Sequence, residues 1–177
     1  MILPEIILTN RLVLRPLKAG DAGAIFVLRS DENINRYVDR PKAKSIEDAV
    51  AFIEMIARHS SENNTLYRAI TLKDNDELIG TITLWNFDKE NNKAEIGYEL
   101  LSRYQGNGYM HEAVKAMLDI AFGSLQLSCV EGWTHPVNRQ SNKLLEKFGF
   151  TRDHEAEKTK PEDANEIIYS LKAADHS

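Results

Sequence analysis

The segment from Glu99 to Met110 combines two glycines with the expected start of a helix, a pattern suited to holding a phosphate group. Gly106 and Gly108 lack a Cβ atom, so the backbone can turn its N–H groups toward one point and approach an anion closely. The free N–H groups of the following helix, and the positive end of its dipole, face the same way. Arg103 could add a charge-assisted hydrogen bond, so the segment suits a pyrophosphate. An ordinary strand-to-helix turn fits the two glycines equally well.

Two other phosphate-binding motifs are excluded by the residues themselves. A dinucleotide-binding fingerprint requires a third glycine three residues after Gly108, where this chain has His111. A Walker loop requires glycine, lysine and then serine or threonine, and the sequence has no such run. A phosphate site in this segment would therefore belong to neither class.

A second polar cluster lies at the start of a helix predicted over 138–148. Asn138, Ser141 and Leu145 are spaced i, i+3 and i+7, which places an amide and a hydroxyl above an apolar position on one helical face. Such a face can contact a bound ligand. The simpler interpretation is that Asn138 caps the helix and Ser141 is a surface hydroxyl in its first turn.

Cysteine and histidine offer no competing chemistry in this sequence. Cys129 is the single cysteine and lies in an apolar strand, where a free cysteine is usually a small buried hydrophobe. The five histidines show no metal-ligand spacing, so we predict no metal site.

The elements that must position these residues follow from the hydrophobic pattern. Helical spacing predicts two helices early in the chain, the first opened by Asp21 and the second by Ser45 with Asp48 in a near capping box. Alternation predicts three consecutive strands joined by short polar turns, which form an antiparallel meander. The predicted strands are 11–16, 66–72, 78–87, 93–101, 125–133 and 166–171; later helices follow Gly108 and span 138–148 up to Gly149, and 153–165 is predicted as a loop.

These elements predict one mixed, mostly antiparallel central sheet flanked by helices, which is an α/β (α+β) fold. Their order is β-α-α-β-β-β-α-β-α-β, with one more strand allowed at the end. The 177 residues, 42% hydrophobic and 28% charged, fit a single domain spanning 1–177.

Composition also limits the compartment and the partners. No apolar run approaches the roughly 20 residues that cross a bilayer, and the first residues do not resemble a signal peptide. We expect no membrane association, and a lone cysteine makes the cytoplasm the expected location. A net charge of −5 argues against a nucleic-acid partner and would suit a cationic substrate.

Taken together, the two polar segments resemble the GNAT superfamily of N-acetyltransferases. Arg103-x-x-Gly106-x-Gly108 opening a helix matches that superfamily's pyrophosphate signature, and Asn138-x-x-Ser141 followed by Gly149-Phe150 matches its next helix. The flanking segments 9–16, 93–98 and 109–113 are similar to the branch of ribosomal-protein N-terminal (alanine/serine) acetyltransferases. The resemblance covers nearly the whole chain and implies the GNAT fold and acetyl-CoA as co-substrate.

The resemblance also implies roles for individual residues. Leu100 and Leu101 would offer backbone groups to the pantetheine arm, which adds like a short strand where two strands splay. Asn138 would contact the pantetheine and Ser141 would lie near the sulfur. The pyrophosphate would be held at the loop and helix start by Arg103 and by backbone amides of Gln105, Gly106, Asn107, Gly108, Tyr109 and Met110.

The two proton-transfer roles are less completely defined. Glu95 matches the place where many GNAT enzymes have a general base, but Glu99 falls on the same strand face and competes for the role unless a bulge separates them. Many members have a tyrosine at the position of Leu145 that protonates the departing thiolate. Its absence makes Ser141 the substitute candidate.

The function predicted from the resemblance is direct acetyl transfer from acetyl-CoA to a primary amine in a ternary complex, with the N-terminal α-amine of a ribosomal or other protein as the leading acceptor. A small amine such as a polyamine, amino acid or antibiotic is an alternative acceptor. A non-catalytic module that senses acetyl-CoA is a third hypothesis. Because dimers are frequent among similar enzymes, a homodimer is one expected assembly.

Overall fold

The computed structural model describes residues 3–177, and its strands form one eight-stranded sheet. The strands are β1 (Ile7–Leu8), β2 (Leu12–Arg15), β3 (Leu66–Leu72), β4 (Asn75–Asp88), β5 (Lys93–Leu100), β6 (Cys129–Thr134), β7 (Thr151–Arg152) and β8 (Ile167–Lys172). The helices are α1 (Ala22–Ser30), α2 (Ile46–Ser61), α3 (Tyr109–Asp119), α4 (Arg139–Lys147) and the single turn α5 (His154–Glu157). No helix in the described part of the chain is both long and apolar enough to cross a membrane.

The sheet runs in the order β1-β2-β3-β4-β5-β6-β8-β7. Every neighbouring pair is antiparallel except β5 and β6, which are parallel. This arrangement confirms the predicted mixed, mostly antiparallel sheet and the meander of β3, β4 and β5. The parallel pair requires a crossover, which is supplied by α3 between the two strands.

The pairing of β5 with β6 involves only four of the eight residues of β5 and four of the six residues of β6. It runs from Lys93 opposite Cys129 to Ile96 opposite Gly132 and stops there. Beyond that point β5 continues to Leu100 along β4, while β6 continues to Thr134 along β8. The facing backbone edges are therefore not bonded to each other over their last residues, and a gap opens in the middle of the sheet.

Helices cover both faces of the sheet because the strands alternate apolar residues on each face. On one face, α1 and α2 bury Ile25, Leu28 and Ile53 against strand residues such as Ala69. The other face packs against α3, and this larger cluster also includes Leu145 from α4; its α3 members are Ala113, Val114, Met117 and Leu118. The core thus fixes α3 and α4 on the face of the sheet opposite α1 and α2, beside the gap between β5 and β6.

Two helix ends follow the sequence signals and one does not. The Ser45 hydroxyl accepts a hydrogen bond from the Asp48 N–H at 3.3 Å, and α4 stops before Gly149, whose φ of 87° suits glycine. The Asp21 side chain, however, does not cap α1. Its carboxylate pairs instead with the buried Arg15 guanidinium at 2.9 Å, because a buried charge needs a partner more than an exposed helix end does.

The remaining differences concern short or irregular segments. β1 and β7 have two residues each, too few to produce an alternating pattern, so the sequence does not reveal them. β6 begins at Cys129 rather than at residue 125, because α3 runs on into a π-helical turn, Ile120–Ser124, and Gln126 then takes a left-handed conformation with φ 53°. The segment predicted as a loop over 153–165 starts with α5, which Asp153 caps.

Candidate active site

The loop between β5 and α3 has the backbone geometry that the two glycines predict. Gly106 and Gly108 have φ of 80° and 78°, a region that residues with a Cβ rarely adopt. Gly108 is the N-cap of α3, and no side chain among residues 3–177 accepts a hydrogen bond from the first N–H groups of this helix in its place. The first turn of a helix has no internal partner for these groups, so they are available to an anion.

A residue nearly one hundred positions away braces this loop. The Arg11 guanidinium donates to the Asn107 carbonyl at 2.9 Å, pairs with the Glu112 carboxylate at 2.7 Å and lies over the Tyr109 ring. The same carboxylate accepts the Arg11 N–H and the Thr9 hydroxyl, both at 2.6 Å. The N-terminal segment thus holds both the loop and the first turn of α3.

The loop opens onto a cavity of about 480 Å³ between the end of β5, α3 and α4. Positive charge is supplied by Lys143 and Lys147 from α4, which line the cavity opposite the loop. Of the predicted cofactor residues, those that line this cavity are Leu100, Gln105, Gly106, Gly108, Tyr109, Met110 and Asn138. The backbone donors, the absence of Cβ atoms and the two lysines fit the pyrophosphate of acetyl-CoA.

Three predicted cofactor residues lie elsewhere. Arg103 is largely exposed and its guanidinium pairs with Glu77 at 2.7 Å, away from the cavity. The Asn107 side chain folds back onto the carbonyls of Tyr104 and Gln105 at 3.2 Å. The Leu101 N–H donates to the Ile79 carbonyl at 2.9 Å. Their contributions to acetyl-CoA binding stay predictions, and Lys143 and Lys147 are cations that the motif does not reveal.

A second and larger cavity, of about 1000 Å³, lies on the face of β4 and β5 that points toward α1 and α2. Both predicted carboxylates, Glu95 and Glu99, line it, as do Trp85, Asn86 and Phe87 from the end of β4. The two cavities meet at residues that line both of them: Tyr37, Val38, Tyr98, Glu99, Asn138 and Ser141. This junction coincides with the gap between β5 and β6.

Glu95 has an environment that favours its neutral form. Burial raises the pKa of this carboxyl to about 7, and the negative charges of Glu131 and Glu166 act in the same direction. A hydrogen bond of 3.1 Å from the Asn86 amide opposes the shift in part. Asn86 lies where β4 loses register with β5. Its φ of 49° is left-handed, a conformation that asparagine tolerates, and its side chain there reaches Glu95. Glu95 forms no ion pair within residues 3–177.

Glu99 lies on the same face of the strand but is already engaged. Pairing of β5 with β4 is regular from Glu95 to Leu100, so no bulge separates the two carboxylates. The Arg40 guanidinium donates to Glu99 at 2.6 Å, and Arg40 is itself held by the Asn35 side chain at 2.8 Å. Of the two candidates, Glu95 is therefore the carboxylate without a cation.

The start of α4 brings Asn138 and Ser141 to the junction. The Asn138 side chain accepts the Ser141 N–H at 3.2 Å, so it caps α4 as the simpler interpretation expects, and it also lines both cavities. The Ser141 hydroxyl lies 3.0 Å from the Tyr98 hydroxyl across the gap. Leu145 is buried against Gly132, where an added Cβ would lie 2.9 Å from its side chain.

Two tyrosines at the junction, Tyr37 and Tyr98, are not among the predicted site residues, and Tyr98 is the one that contacts α4. Its ring belongs to β5, burial raises the pKa of its hydroxyl to about 12, and its hydroxyl contacts Ser141. Alternation along β5 places it on the face opposite Glu95 and Glu99, but its contact with α4 depends on tertiary packing that the sequence pattern does not show. Cys129, by contrast, lines neither cavity, and burial raises the pKa of its thiol.

Comparison with known proteins supplies the family. A model of the acetyltransferase (GNAT) domain matches residues 11–151, most of the chain. This chain belongs to the GNAT family of acetyltransferases. A Bacillus licheniformis protein described as an uncharacterized N-acetyltransferase, p20, is 35% identical over 159 residues, which cover 87% of this chain and 89% of p20.

Solved structures of the family have the same fold. A protein described as a "putative ribosomal-protein-serine acetyltransferase" from Vibrio cholerae superposes with a TM-score of 0.82 at 25% identity and covers 97% of this chain and 99% of its own. Mycobacterium smegmatis RimJ, solved with CoA-disulfide, superposes with a TM-score of 0.81 at 21% identity, covering 97% and 88%. The GNAT chain is thus an acetyl-CoA-dependent acetyltransferase, as the resemblance implied.

Gly108→Val should weaken acetyl-CoA binding at least tenfold. Valine disfavours a φ near 78°, and its Cβ would lie 3.3 Å from the Arg11 guanidinium that braces the loop. Titration calorimetry with acetyl-CoA measures the effect. The matched control is Gly20→Val, at a site with open space and no positive φ. An unchanged Kd for a folded Gly108→Val variant would contradict the pyrophosphate loop.

Proposed function

We propose that this GNAT enzyme transfers the acetyl group of acetyl-CoA directly to a primary amine, with the N-terminal α-amine of a peptide or protein as the leading acceptor. The proposal depends chiefly on Glu95, a carboxyl with a pKa of about 7 that faces the larger cavity. An α-amine has a pKa near 8 and a lysine amine one near 10.4. A base with a pKa near 7 is better matched to the α-amine.

Acetyl-CoA would enter through the smaller cavity and supply the thioester as the electrophile. The positive-φ glycines, the first turn of α3 and the two lysines of α4 would hold its pyrophosphate, and the open edge of β5 near Leu100 would receive its pantetheine arm. The acceptor would occupy the larger cavity. The two substrates then meet at Tyr98, Glu99, Asn138 and Ser141, where the cavities join.

Proton removal from the amine falls to Glu95. Above pH 7 its carboxylate is charged and can accept a proton, directly or through one water molecule. Glu99 lies at the junction, but its carboxylate is already engaged in an ion pair with Arg40 at 2.6 Å. No acetyl-cysteine step is required, because Cys129 lies outside both cavities.

Protonation of the departing thiolate falls to the pair formed by Ser141 and Tyr98. If the Tyr98 hydroxyl donates to Ser141 Oγ, the serine O–H is left pointing to the junction and can serve the sulfur. Tyr98 would then replenish that proton through the 3.0 Å hydrogen bond. This pair would replace the tyrosine that many family members have where this chain has Leu145.

A thiol-release assay with acetyl-CoA tests the proposed function. The acceptors are peptides with a free α-amine, the same peptides with a blocked N-terminus and an internal lysine, and small amines including a polyamine. We expect turnover with free α-amines and at least tenfold lower kcat/KM with the blocked peptides. Faster turnover of a small amine would show that the acceptor is a small amine rather than a peptide. Binding of acetyl-CoA without turnover of any amine would contradict the proposed transferase activity.

Glu95→Gln should lower kcat at least about tenfold at neutral pH, since general-base catalysis contributes roughly 10²–10⁴-fold. In the native enzyme kcat should rise with pH through a midpoint near 7, as Glu95 loses its proton. The variant should lack this midpoint and recover at high pH, where the amine arrives unprotonated. Glu99→Gln is the matched control and should keep the midpoint. Full activity of Glu95→Gln at pH 7 would exclude Glu95 as the base.

Tyr98→Phe should lower kcat about tenfold while the KM values for both substrates change less than about twofold. Loss of the hydroxyl removes a proton donor that acts through Ser141, so Ser141→Ala and the double variant should have nearly the same kcat as each other. Steady-state kinetics of the native enzyme and the three variants provide the double-mutant cycle that measures their coupling. Additive losses, or a thermal transition lowered in proportion to activity, would assign Tyr98 to packing alone.

A further inference from the structure

Arg29 is a cationic side chain in the larger cavity that the proposed reaction does not use. It lies in the last turn of α1, and its guanidinium carbon is 3.9 Å from the centre of the Phe52 ring on α2. Phe52 meets the Tyr67 ring edge-on at 5.7 Å, and the Tyr67 hydroxyl donates to Thr81 at 3.1 Å. The guanidinium is therefore held in one place by a packed aromatic support.

Arg29 forms no ion pair in the described part of the chain, and the Glu99 carboxylate acts on its charge only without direct contact. Its neighbour Arg40 pairs with Glu99 at 2.6 Å, so that carboxylate is already engaged. Burial, and then the positive charge of Arg40, lower the pKa of Arg29. A partly buried charge without a partner costs free energy, which is recovered when an anion binds.

On the sheet side the cavity is lined by the carboxylates of Glu95 and Glu166 together with Lys89. Arg29 and the paired Arg40 lie on the side of α1 and α2. A ligand that fits both sides has an amine, which arrives as an ammonium ion, and a separate anionic group. The charge distribution is thus matched to a molecule that carries both charges rather than to a simple polyamine.

We propose that Arg29 binds an anionic group of the acceptor, through carboxylate or phosphate oxygens, so that the enzyme selects primary amines that also carry a negative charge. The guanidinium suits either group because its parallel N–H donors match their oxygens in a bidentate arrangement. This inference rests on the proposed function for the position of the acceptor. It adds the acceptor's second charge, which the amine chemistry alone does not require.

Matched pairs of ligands test the proposal by binding, independently of turnover. The pairs are glycylglycine and its C-terminal amide, O-phosphoethanolamine and ethanolamine, and two hexapeptides that differ only in glutamate or glutamine at the second position. Titration calorimetry with the enzyme saturated with CoA gives the Kd of each. In at least one pair the anionic member should bind at least tenfold more tightly, and the responding pair identifies the source of the anion.

Three variants assign the preference to Arg29. Arg29→Gln should weaken binding of the preferred anionic ligand about ten- to hundredfold, as expected for a lost charge-assisted hydrogen bond, and should change its neutral partner less than twofold. Arg29→Lys should keep part of the preference. Arg36→Gln, which removes an exposed arginine outside both cavities, should bind like the native enzyme.

Two outcomes would overturn the proposal. One is the absence of any anionic preference in the native enzyme; the other is an Arg29→Gln variant that weakens both members of a pair equally, which would make the residue structural. Failure of the proposed function is a separate result. If no amine is acetylated in the thiol-release assay, the transferase reaction fails, while the difference in Kd between paired ligands still decides the role of Arg29.

Discussion

The end of pairing between β5 and β6, after Ile96 and Gly132, is the constraint on which the rest of the site depends. A sheet that stayed closed would satisfy every backbone group and leave no entry for a ligand. Because β5 stays with β4 and β6 stays with β8, the opening is rigid on both sides. The start of α4 then closes it from above, and the hydrogen bond between Tyr98 and Ser141 joins β5 to α4 across it. The two cavities proposed for cofactor and acceptor thereby meet at one point.

The sequence predicts the main elements and the backbone geometry of the glycine-containing loop between β5 and α3, because each depends on local chemistry. Alternation identifies the meander, and Gly106 and Gly108 identify a backbone that other residues rarely adopt. The ion pairs could not be predicted in this way. Arg103 looks like a phosphate ligand from its motif spacing, but a rotation of its exposed side chain places it on Glu77. The choice between Glu95 and Glu99 likewise depends on Arg40, which is 59 residues from its partner.

Glu95 and Glu99 lie on the same face of β5, but their carboxylates have different surroundings. Regular alternation gives them the same orientation, and their neighbours then separate them. Burial and the two nearby acids Glu131 and Glu166 raise the pKa of Glu95 to about 7, and the Asn86 amide opposes part of this rise. Glu99 has a guanidinium at 2.6 Å. On the Glu95 side the difference comes chiefly from burial, while Asn86, whose left-handed backbone lies where β4 loses register, donates the hydrogen bond that limits the rise in pKa.

The contacts of Arg11 with Asn107 and Glu112 join two segments that lie far apart in the sequence. Because Arg11 contacts residues about one hundred positions later, the loop gains this support only after synthesis has passed the first turn of α3. Thermodynamic linkage works in both directions. A ligand that prefers the ordered loop also favours the docked N-terminus, and amide protons of the first strands should exchange more slowly in the loaded enzyme. If the loop binds the cofactor as proposed, the N-terminal segment would report its occupancy from a distance.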